Sequence, residues 1–405
     1  MYAFSNAVNS RHSEDIKLLM SQASGKSLIS FSGGMPNNDL FPVKHIDDIY
    51  NSLPSDKKKL CFQYGPTPGY PPLIKSLQDY LKNKGLPVDE NKILITTGSL
   101  QAISIITQEF VNEGDIILTE NPCFVGALSV FETMGATIES IPIDYDGIDI
   151  KALKTKIATL KQIPKFLYVT PNYHNPAGII YTPERKKELL EVLCGTGIIL
   201  IEDDAYSDLY FDETEKHLTK PMKSYGYKDV DIIYTGSFSK ILGPGFRLGY
   251  MLCSQEIFEK AESIKQALDA CTSNFMQILA NEFLAQDKLK TYLNFLRSEY
   301  LERKNLLQSN LEKYMPKEIT WNEPKGGFYI WLKLPEHIKS TDIFKESIKE
   351  GVVFVTGRTF DPASKKDDRL RLSFSNMPKE NIEKGVIILA EAVKKVLRNS
   401  KIKIS

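Results

Sequence analysis

A single lysine, Lys240, stands where an apolar segment meets a turn, and this placement suits it for covalent chemistry. The mostly apolar segment 231–234 predicts a buried strand, and a Gly-Pro-Gly turn follows the lysine. A lysine withdrawn from water loses its proton more easily, and its amine can then form a Schiff base with a carbonyl group. The nearby hydroxyls of Ser237 and Ser239 and the guanidinium of Arg247 could hold a phosphate. On this segment alone, a surface lysine beside a turn is the alternative.

A second candidate anion site follows the predicted strand 93–97. The segment 97–101 (TGSLQ) opens a helix, and the free N–H groups and positive dipole of a helix N-terminus favour a phosphate. Ser99 would add its hydroxyl, and Leu100 would add its backbone N–H. Ser99 as a simple N-cap is the alternative, and both roles can hold at once.

A candidate carboxylate-binding arginine lies near the end of the chain. Residues 368–374 alternate, which predicts a strand with apolar side chains on one face and Arg369 and Arg371 on the other. A guanidinium on a strand can hold a carboxylate through two parallel hydrogen bonds.

Four motifs, in order along the chain, resemble one family. They are PNYHNPAG at 171–178, EDDAY at 202–206, SFSK at 237–240 and RLSFS at 371–375. Together they resemble the pyridoxal-phosphate (PLP)-dependent aminotransferases of fold type I, class I/II. The segment 30–42 (SFSGGMPNNDLFP) resembles the subgroup that includes 2-aminoadipate, kynurenine and aromatic aminotransferases. The resemblance extends from about residue 30 to residue 377.

The resemblance implies a role for each candidate residue, with Lys240, Asp203 and Tyr206 as the catalytic residues. Lys240 would hold PLP and move protons, and Asp203 would pair with the pyridine nitrogen. Tyr206 and Asn175 would donate to the phenolate oxygen of the cofactor. Arg371 would hold the α-carboxylate of the substrate, which Asn175 would also contact. The other residues implied to bind the cofactor are Ser99, Leu100, Phe124, Ser237, Ser239, Arg247 and Tyr64.

The resemblance also implies a homodimer with shared active sites. Tyr64, in the loop 63–69, matches a tyrosine that reaches the cofactor phosphate of the other subunit. A tyrosine that only stabilises a tight loop is the alternative. Gly34, in the segment 30–42, would place its backbone close to the substrate.

Other polar side chains compete for these roles. Glu202 and Asp204 flank Asp203, and the three-residue spacing to Tyr206 favours Asp203. Arg369 is the second candidate for the substrate carboxylate. Contact with the substrate is left open for Arg358 and Lys17, and a structural role is expected for His174.

The elements that position these residues predict an α/β fold. Short apolar segments alternate with helix-length segments, which is typical of a mostly parallel sheet that binds ligands at its strand ends. The resemblance implies fold type I, with a large domain built on a mostly parallel seven-stranded sheet between helices and a smaller α/β domain. The predicted ranges are 1–44 for an N-terminal arm with a helix at 13–22, 45–290 for the large domain and 291–405 for the small domain. The predicted strands of the large domain are 93–97, 116–120, 166–170, 198–202, 232–235 and 248–253, and those of the small domain include 326–331 and 352–355.

The composition argues against several other classes of protein. Lys+Arg and Asp+Glu both number 51, so no basic surplus points to nucleic acid. The five cysteines are scattered without a C-x-x-C pair, which predicts free thiols and a cytoplasmic location. The chain has no apolar segment of membrane-spanning length and no ligand-spaced histidine pair, so neither a membrane nor a metal partner is expected.

We therefore expect an aminotransferase that moves an amino group from an L-amino acid to a 2-oxo acid by a ping-pong mechanism. The donor would be aromatic, 2-aminoadipate-like or branched-chain, and the acceptor 2-oxoglutarate. A PLP-dependent β-lyase or another fold type I enzyme is the first alternative, because such enzymes share the cofactor residues. A cofactor-binding regulator is a weaker alternative, because such regulators carry a DNA-binding domain before the segment that begins here at about residue 30.

Overall fold

Two main sheets organise the part of the chain that the computed structural model describes, residues 2–10, 12, 28–285, 288–363 and 365–404. The predicted helix at 13–22, which includes Lys17, lies outside these residues. The described strands, numbered in chain order, are β1 (Ile29–Ser30), β2 (Lys92–Thr96), β3 (Ile116–Asn121), β4 (Thr137–Pro142), β5 (Phe166–Val169), β6 (Ile199–Asp204), β7 (Ile232–Ser237), β8 (Gly249–Cys253), β9 (Thr320–Trp321), β10 (Tyr329–Lys333), β11 (Val352–Val353), β12 (Val355–Thr356) and β13 (Arg369–Ser373).

The larger sheet has seven strands in the order β2-β8-β7-β6-β5-β3-β4. Six of them are parallel to one another, and β8 is antiparallel to both of its neighbours. The carboxyl ends of the six strands therefore meet at one edge, where β8 begins with Gly249 opposite Thr96 and Ser237. This topology confirms the predicted mostly parallel seven-stranded sheet.

Both faces of this sheet are covered, which is why its interior strands are largely apolar. On β5, Phe166 and Tyr168 pack into the core on one face, while Leu167 and Val169 pack into the core on the other. Because successive side chains of a strand point to opposite faces, four buried residues in a row require cover on both sides. The strand ends are thereby held in fixed positions for the site.

The sequence predicts six of the seven strands, with ends that differ by at most two residues. It missed β4, an edge strand whose residues are mostly only half-buried or exposed. The segment TIESIP has a single fully buried side chain, Ile141, so it lacks the apolar pattern on which the other predictions depend.

A smaller antiparallel sheet has the order β12-β13-β10-β9, and β1 pairs with β11 beside it. The predicted strand 352–355 is divided between β11 and β12, which belong to different sheets. The strand predicted to begin at Gly326 begins at Tyr329 instead. A Cβ on Gly326 would collide with Tyr173, and Gly327 has a φ of 72°, which lies outside the strand region, so a regular strand does not run through this pair.

Helices cover the sheets, and several begin with a sequence signal. Thr182 caps the helix that begins at Pro183 by accepting the Arg185 N–H, and proline at the first helical position has no N–H to leave unpaired. Among the described residues, no helix has the length and apolar character needed to cross a bilayer. The α-helices are Val43–Ser52, Ser55–Leu60, Pro71–Asn83, Ser99–Phe110, Val125–Thr133, Ile150–Thr159, Pro183–Leu193, Gln255–Asp269, Asn274–Ala285, Lys288–Tyr314, Ser340–Ser347 and Lys379–Ile404.

Candidate active site

One cavity at the carboxyl edge of the large sheet collects nearly all of the predicted site residues. It encloses about 340 Å³ and lies where β2, β6 and β7 end. Residues far apart in sequence meet here because parallel strands bring their carboxyl ends to the same edge. The predicted residues that line it are Gly34, Ser99, Leu100, Phe124, Asn175, Asp203, Tyr206, Ser237, Ser239, Lys240, Arg247 and Arg371.

Lys240 projects into the cavity from the turn that follows β7. The buried Phe238 anchors this turn, and Lys240 Nζ donates a 2.9 Å hydrogen bond to the backbone oxygen of Gly34. The pKa of Lys240 is lowered to about 8, first by burial and then by the positive charge of Arg371. A fraction of the amine is therefore neutral near pH 7, as a nucleophile requires.

Asp203 is the acid that faces the cavity from β6. It is only 4% exposed, and its carboxylate accepts hydrogen bonds from the Tyr168 hydroxyl at 2.6 Å and the Thr235 hydroxyl at 2.9 Å. Burial raises the pKa of Asp203 to about 6, although the two hydroxyls oppose this effect. A positive group in the cavity would stabilise the carboxylate, and a protonated ring nitrogen is such a group.

The two flanking acids, Glu202 and Asp204, are committed elsewhere. The Glu202 carboxylate accepts two backbone N–H groups at 2.7 and 3.0 Å, and Asp204 accepts the Tyr234 hydroxyl at 2.6 Å. Their side chains leave the strand on the face opposite to that of Asp203. The three-residue spacing to Tyr206 and the geometry of the site thus both indicate Asp203 as the acid that faces the cavity.

Arg371 and Asn175 form a hydrogen-bonded unit at the small-sheet side of the cavity. Arg371 Nη1 donates to Asn175 Oδ1 at 2.7 Å, and Nη2 donates to the backbone oxygen of Ser32 at 2.6 Å. Because Arg371 occupies the amide oxygen of Asn175, the amide NH2 is the group left for a ligand. Arg371 Nε is buried without a partner among the described residues, so a donor is left for a carboxylate.

The loop that carries Asn175 is held by a buried network around Glu120. Tyr181 donates to Glu120 at 2.5 Å, and His174 Nε2 lies 3.1 Å from the same carboxylate. His174 Nδ1 accepts the Ala177 N–H at 3.1 Å, so Nε2 carries the proton and donates to Glu120. The peptide bond between Asn175 and Pro176 is cis. His174 is therefore placed for a structural role.

The opposite end of the cavity is rich in hydrogen-bond donors. Gly98 has a φ of 84°, and a Cβ there would lie 2.9 Å from Arg247 Nη2, so the glycine lets the helix start and the arginine approach each other. Arg247 itself has a left-handed backbone, with a φ of 48°, a conformation that is costly for a non-glycine residue. Ser237 Oγ accepts the Ser239 N–H at 3.1 Å, which leaves the Ser237 hydroxyl hydrogen free for an anion. This end suits a phosphate.

Phe124 contributes an aromatic ring to the wall of the cavity. A Cβ on Gly126 would come within 2.5 Å of Phe124 Cζ, so the glycine makes room for the ring at the start of its helix. The exposed ring face can stack on a planar ligand.

Three predicted or open positions among the described residues, Tyr64, Arg369 and Arg358, do not line the cavity. Tyr64 is 82% exposed and is not among its lining residues, so a cofactor contact by Tyr64 requires a second subunit. Arg369 lies beside Asp368 and lines a different cleft, so Arg371 is the arginine of this strand that reaches the site. Arg358 is exposed, and Lys17 lies outside the described residues.

Comparisons with known proteins agree with this geometry. The family model for aminotransferase class I and II matches residues 34–389. The chain belongs to the class I and II aminotransferase family. It is 31% identical to aromatic-amino-acid aminotransferase 1 of Thermococcus litoralis, over 98% of this chain and 95% of the relative. It is 32% identical to the 2-aminoadipate transaminase of Thermus thermophilus, over 98% of this chain and 97% of the relative.

A solved structure extends the likeness to the fold. The crystal structure of kynurenine aminotransferase from Pyrococcus horikoshii, in complex with PMP, matches with a TM-score of 0.91 at 34% identity and covers 97% of both chains. The present chain is thus a PLP-dependent aminotransferase of fold type I.

The residues of this aminotransferase fit the cofactor. The raised pKa of the buried Asp203 calls for a cationic partner, and the donor-rich end at Gly98 and Arg247 calls for an anion. The ring of Phe124 lines the same cavity. A molecule with a protonated ring nitrogen, a flat ring and a phosphate satisfies all three.

Several residues of the site were not predicted from the sequence. Tyr168 and Thr235 hold the carboxylate of Asp203 from neighbouring strands, and their polar ends are hidden in otherwise apolar segments. Ser32 and Tyr329 hold Arg371. The signal that could have found Thr235 is strand register, because Thr235 pairs directly with Asp203 once β6 and β7 are aligned.

Proposed function

We propose that this aminotransferase moves the amino group of an aromatic L-amino acid to a 2-oxo acid by a ping-pong mechanism, with 2-oxoglutarate, whose distal carboxylate would need a cation beyond those of the described lining, as the first acceptor to test. The proposal rests on which part of the cofactor or substrate each charged side chain of the cavity would bind. Within the described residues, the charged side chains that line it are Asp203, Lys240, Arg247 and Arg371. Each of them has a partner on the cofactor or at the α-carbon of the substrate.

We assign the steps to side chains as follows. PLP, when bound, supplies the electron sink for the electrons of the Cα–H bond. Lys240 Nζ accepts the Cα proton and later returns one, because its lowered pKa suits a general base and acid near neutral pH. Arg371 holds the α-carboxylate and so keeps the Cα–H bond aimed away from the ring plane. Asp203 keeps the ring nitrogen protonated, and Tyr206 and Asn175 donate to the phenolate oxygen.

The remaining wall supports an aromatic donor. It is formed largely by apolar or neutral side chains, including those of Met35, Leu100, Phe124, Val125 and Tyr329. A donor with a carboxylate on its side chain would bury that charge without a cation among these residues, which is unfavourable. An aromatic side chain instead gains from burial and ring contacts. The names of the Thermococcus relative and of the Pyrococcus structure point to the same class.

The proposal includes a homodimer in the cytoplasm. Phe62 and Tyr64 are 77% and 82% exposed on one loop, and Asn274 holds that loop through a hydrogen bond to the backbone of Gln63. Exposed aromatic side chains on a well-held loop support contact with a second copy. All five cysteines are free, which supports a reducing compartment.

Initial rates with varied donor and acceptor test the function. We expect parallel double-reciprocal lines, higher kcat/KM for aromatic donors than for leucine or 2-aminoadipate, and no turnover in Lys240→Ala. A preference for 2-aminoadipate would contradict the proposal, because no charged side chain among the described residues of the cavity is left to bind the carboxylate of its side chain. Release of pyruvate and ammonia from a single substrate would indicate a lyase. Comparison of 2-oxoglutarate with phenylpyruvate decides whether the acceptor needs a cation that the described wall does not provide.

A further inference from the structure

Tyr329 occupies a central position that none of the sequence motifs marks. It is 1% exposed, and its hydroxyl lies 2.9 Å from the hydroxyl of Tyr206. Its ring lies against the guanidinium of Arg371, with 4.4 Å between the guanidinium carbon and the ring centroid. The backbone oxygen of Gly34 accepts a hydrogen bond from Lys240 Nζ. A Cβ on Gly34 would overlap the Tyr329 hydroxyl, so the backbone at Gly34 lies directly against this hydroxyl. Tyr329 thus contacts both Tyr206, which is proposed to bind the cofactor, and Arg371, which is proposed to bind the substrate.

The direction of the hydrogen bond between the two tyrosines follows from counting hydrogens. A phenol has one hydrogen to donate and can accept through its oxygen. The proposed function uses the Tyr206 hydrogen for the phenolate oxygen of the cofactor. Tyr206 can then only accept from Tyr329, so the Tyr329 hydroxyl must be the donor. Burial raises the pKa of the Tyr206 phenol well above its ordinary value, so this hydrogen stays in place at working pH.

We propose that Tyr329 is a positioning residue, whose hydroxyl fixes Tyr206 as a donor to the cofactor and whose ring fixes Arg371 for the substrate carboxylate. The inference rests on the proposed role of Tyr206. A phenylalanine could fill the same space and support Arg371 equally well. The Tyr329 hydroxyl, which phenylalanine lacks, forms a side-chain hydrogen bond with Tyr206. This hydrogen bond therefore accounts for a tyrosine at this position.

The two functions of Tyr329 have separable consequences. A hydroxyl that accepts a hydrogen bond becomes a stronger donor, so loss of the Tyr329 hydroxyl weakens donation by Tyr206. The phenolate oxygen then attracts the proton on Lys240 Nζ more strongly, and the pKa of the coloured cofactor–Lys240 group rises. The other charged groups around this cavity, Asp203, Arg247 and Arg371, are unchanged by the substitution.

The test is a pH titration of the visible absorption of the holoenzyme in four forms: wild type, Tyr329→Phe, Tyr206→Phe and the double variant. We expect both single variants to raise the pKa of the chromophore, Tyr206→Phe by more. The double variant should match Tyr206→Phe, because Tyr329 acts through Tyr206. An unchanged pKa in Tyr329→Phe, or additive increases in the double variant, would overturn the proposal. A wild-type protein without cofactor absorption would instead refute the proposed function.

Steady-state kinetics test the ring. Tyr329→Phe keeps the ring, so the KM of the donor should stay at the wild-type value. Tyr329→Leu removes the ring and should raise this KM roughly tenfold, within the range of a buried cation–π contact. An equal KM in both variants would contradict the second half of the proposal, and Tyr329→Phe keeps the first half testable if Tyr329→Leu does not fold.

Discussion

Asp203→Asn should make the cofactor-free protein more stable at neutral pH while it removes activity. The pKa of Asp203 is raised from 3.8 to about 6 by burial. Because the folded state holds the proton more tightly than the unfolded state, the free energy of unfolding decreases as pH rises through this range. One pKa unit corresponds to about 1.4 kcal/mol, so the full penalty above the folded pKa is about 3 kcal/mol.

Asparagine cannot ionise and avoids this penalty, although it loses about 1 kcal/mol of charge-assisted hydrogen bonding from Tyr168 or Thr235. The net gain at pH 8 is thus about 2 kcal/mol. Roughly half of the penalty is already present at pH 5, so the advantage of Asp203→Asn should grow by about 1.5 kcal/mol between pH 5 and pH 8.

Urea unfolding of the cofactor-free proteins at both pH values measures this difference. In the holoenzyme, kcat should fall by about two orders of magnitude or more, since a fixed charge at the reacting group is lost. Asp204→Asn, on the same strand but outside the cavity, is the control and should keep most of the activity. A variant that is less stable than wild type at pH 8, or whose advantage does not change with pH, would refute the reasoning.

Three further predictions concern other parts of the site. Arg371→Lys should lower kcat/KM for the donor by about 10- to 100-fold, because lysine cannot form two parallel hydrogen bonds with the carboxylate. Arg369→Lys should have little effect on kcat/KM. Equal losses in the two variants would place both arginines at the substrate. Gly34→Ala should cost about 1–3 kcal/mol of unfolding free energy through overlap with the Tyr329 hydroxyl, and Tyr329→Phe in the same chain should recover most of it. Finally, the rate at which the cofactor-free enzyme rebinds PLP should rise with a midpoint near pH 8, where Lys240 becomes neutral, and a midpoint near 10.5 would show that burial does not act on this amine.

The parts of the fold and site that the sequence predicts are those with a local signal. Six of the seven strands of the large sheet are recognisable because most of their side chains are buried, and several candidate residues follow directly at their ends. Asp203, Lys240 and Arg371 are identified by motifs whose spacing sets their direction in the structure. The edge strand β4 has no such pattern, because it is only partly covered.

What the sequence does not predict are partners that come from another element. Tyr329 lies against Arg371 because β10 and β13 pair in one particular register, and its hydroxyl meets that of Tyr206, which follows a strand of the other sheet. Glu120 and Tyr181 support the Asn175 loop from two further segments. Such contacts depend on tertiary packing, and no periodicity of a single segment reports them. The division of the chain at residues 44 and 290 stays a prediction, and residue 290 lies inside the helix Lys288–Tyr314.

The absorption spectrum of the purified holoenzyme, with single amino acids and no 2-oxo acid, tests the central claim most directly. We predict that aromatic donors convert the visible band of the Lys240-bound cofactor into the near-ultraviolet band of its aminated form, with one equivalent of 2-oxo acid released per active site. Lys240→Ala should show no such conversion on the same time scale. A visible band that no donor changes would contradict amino-group transfer at this site.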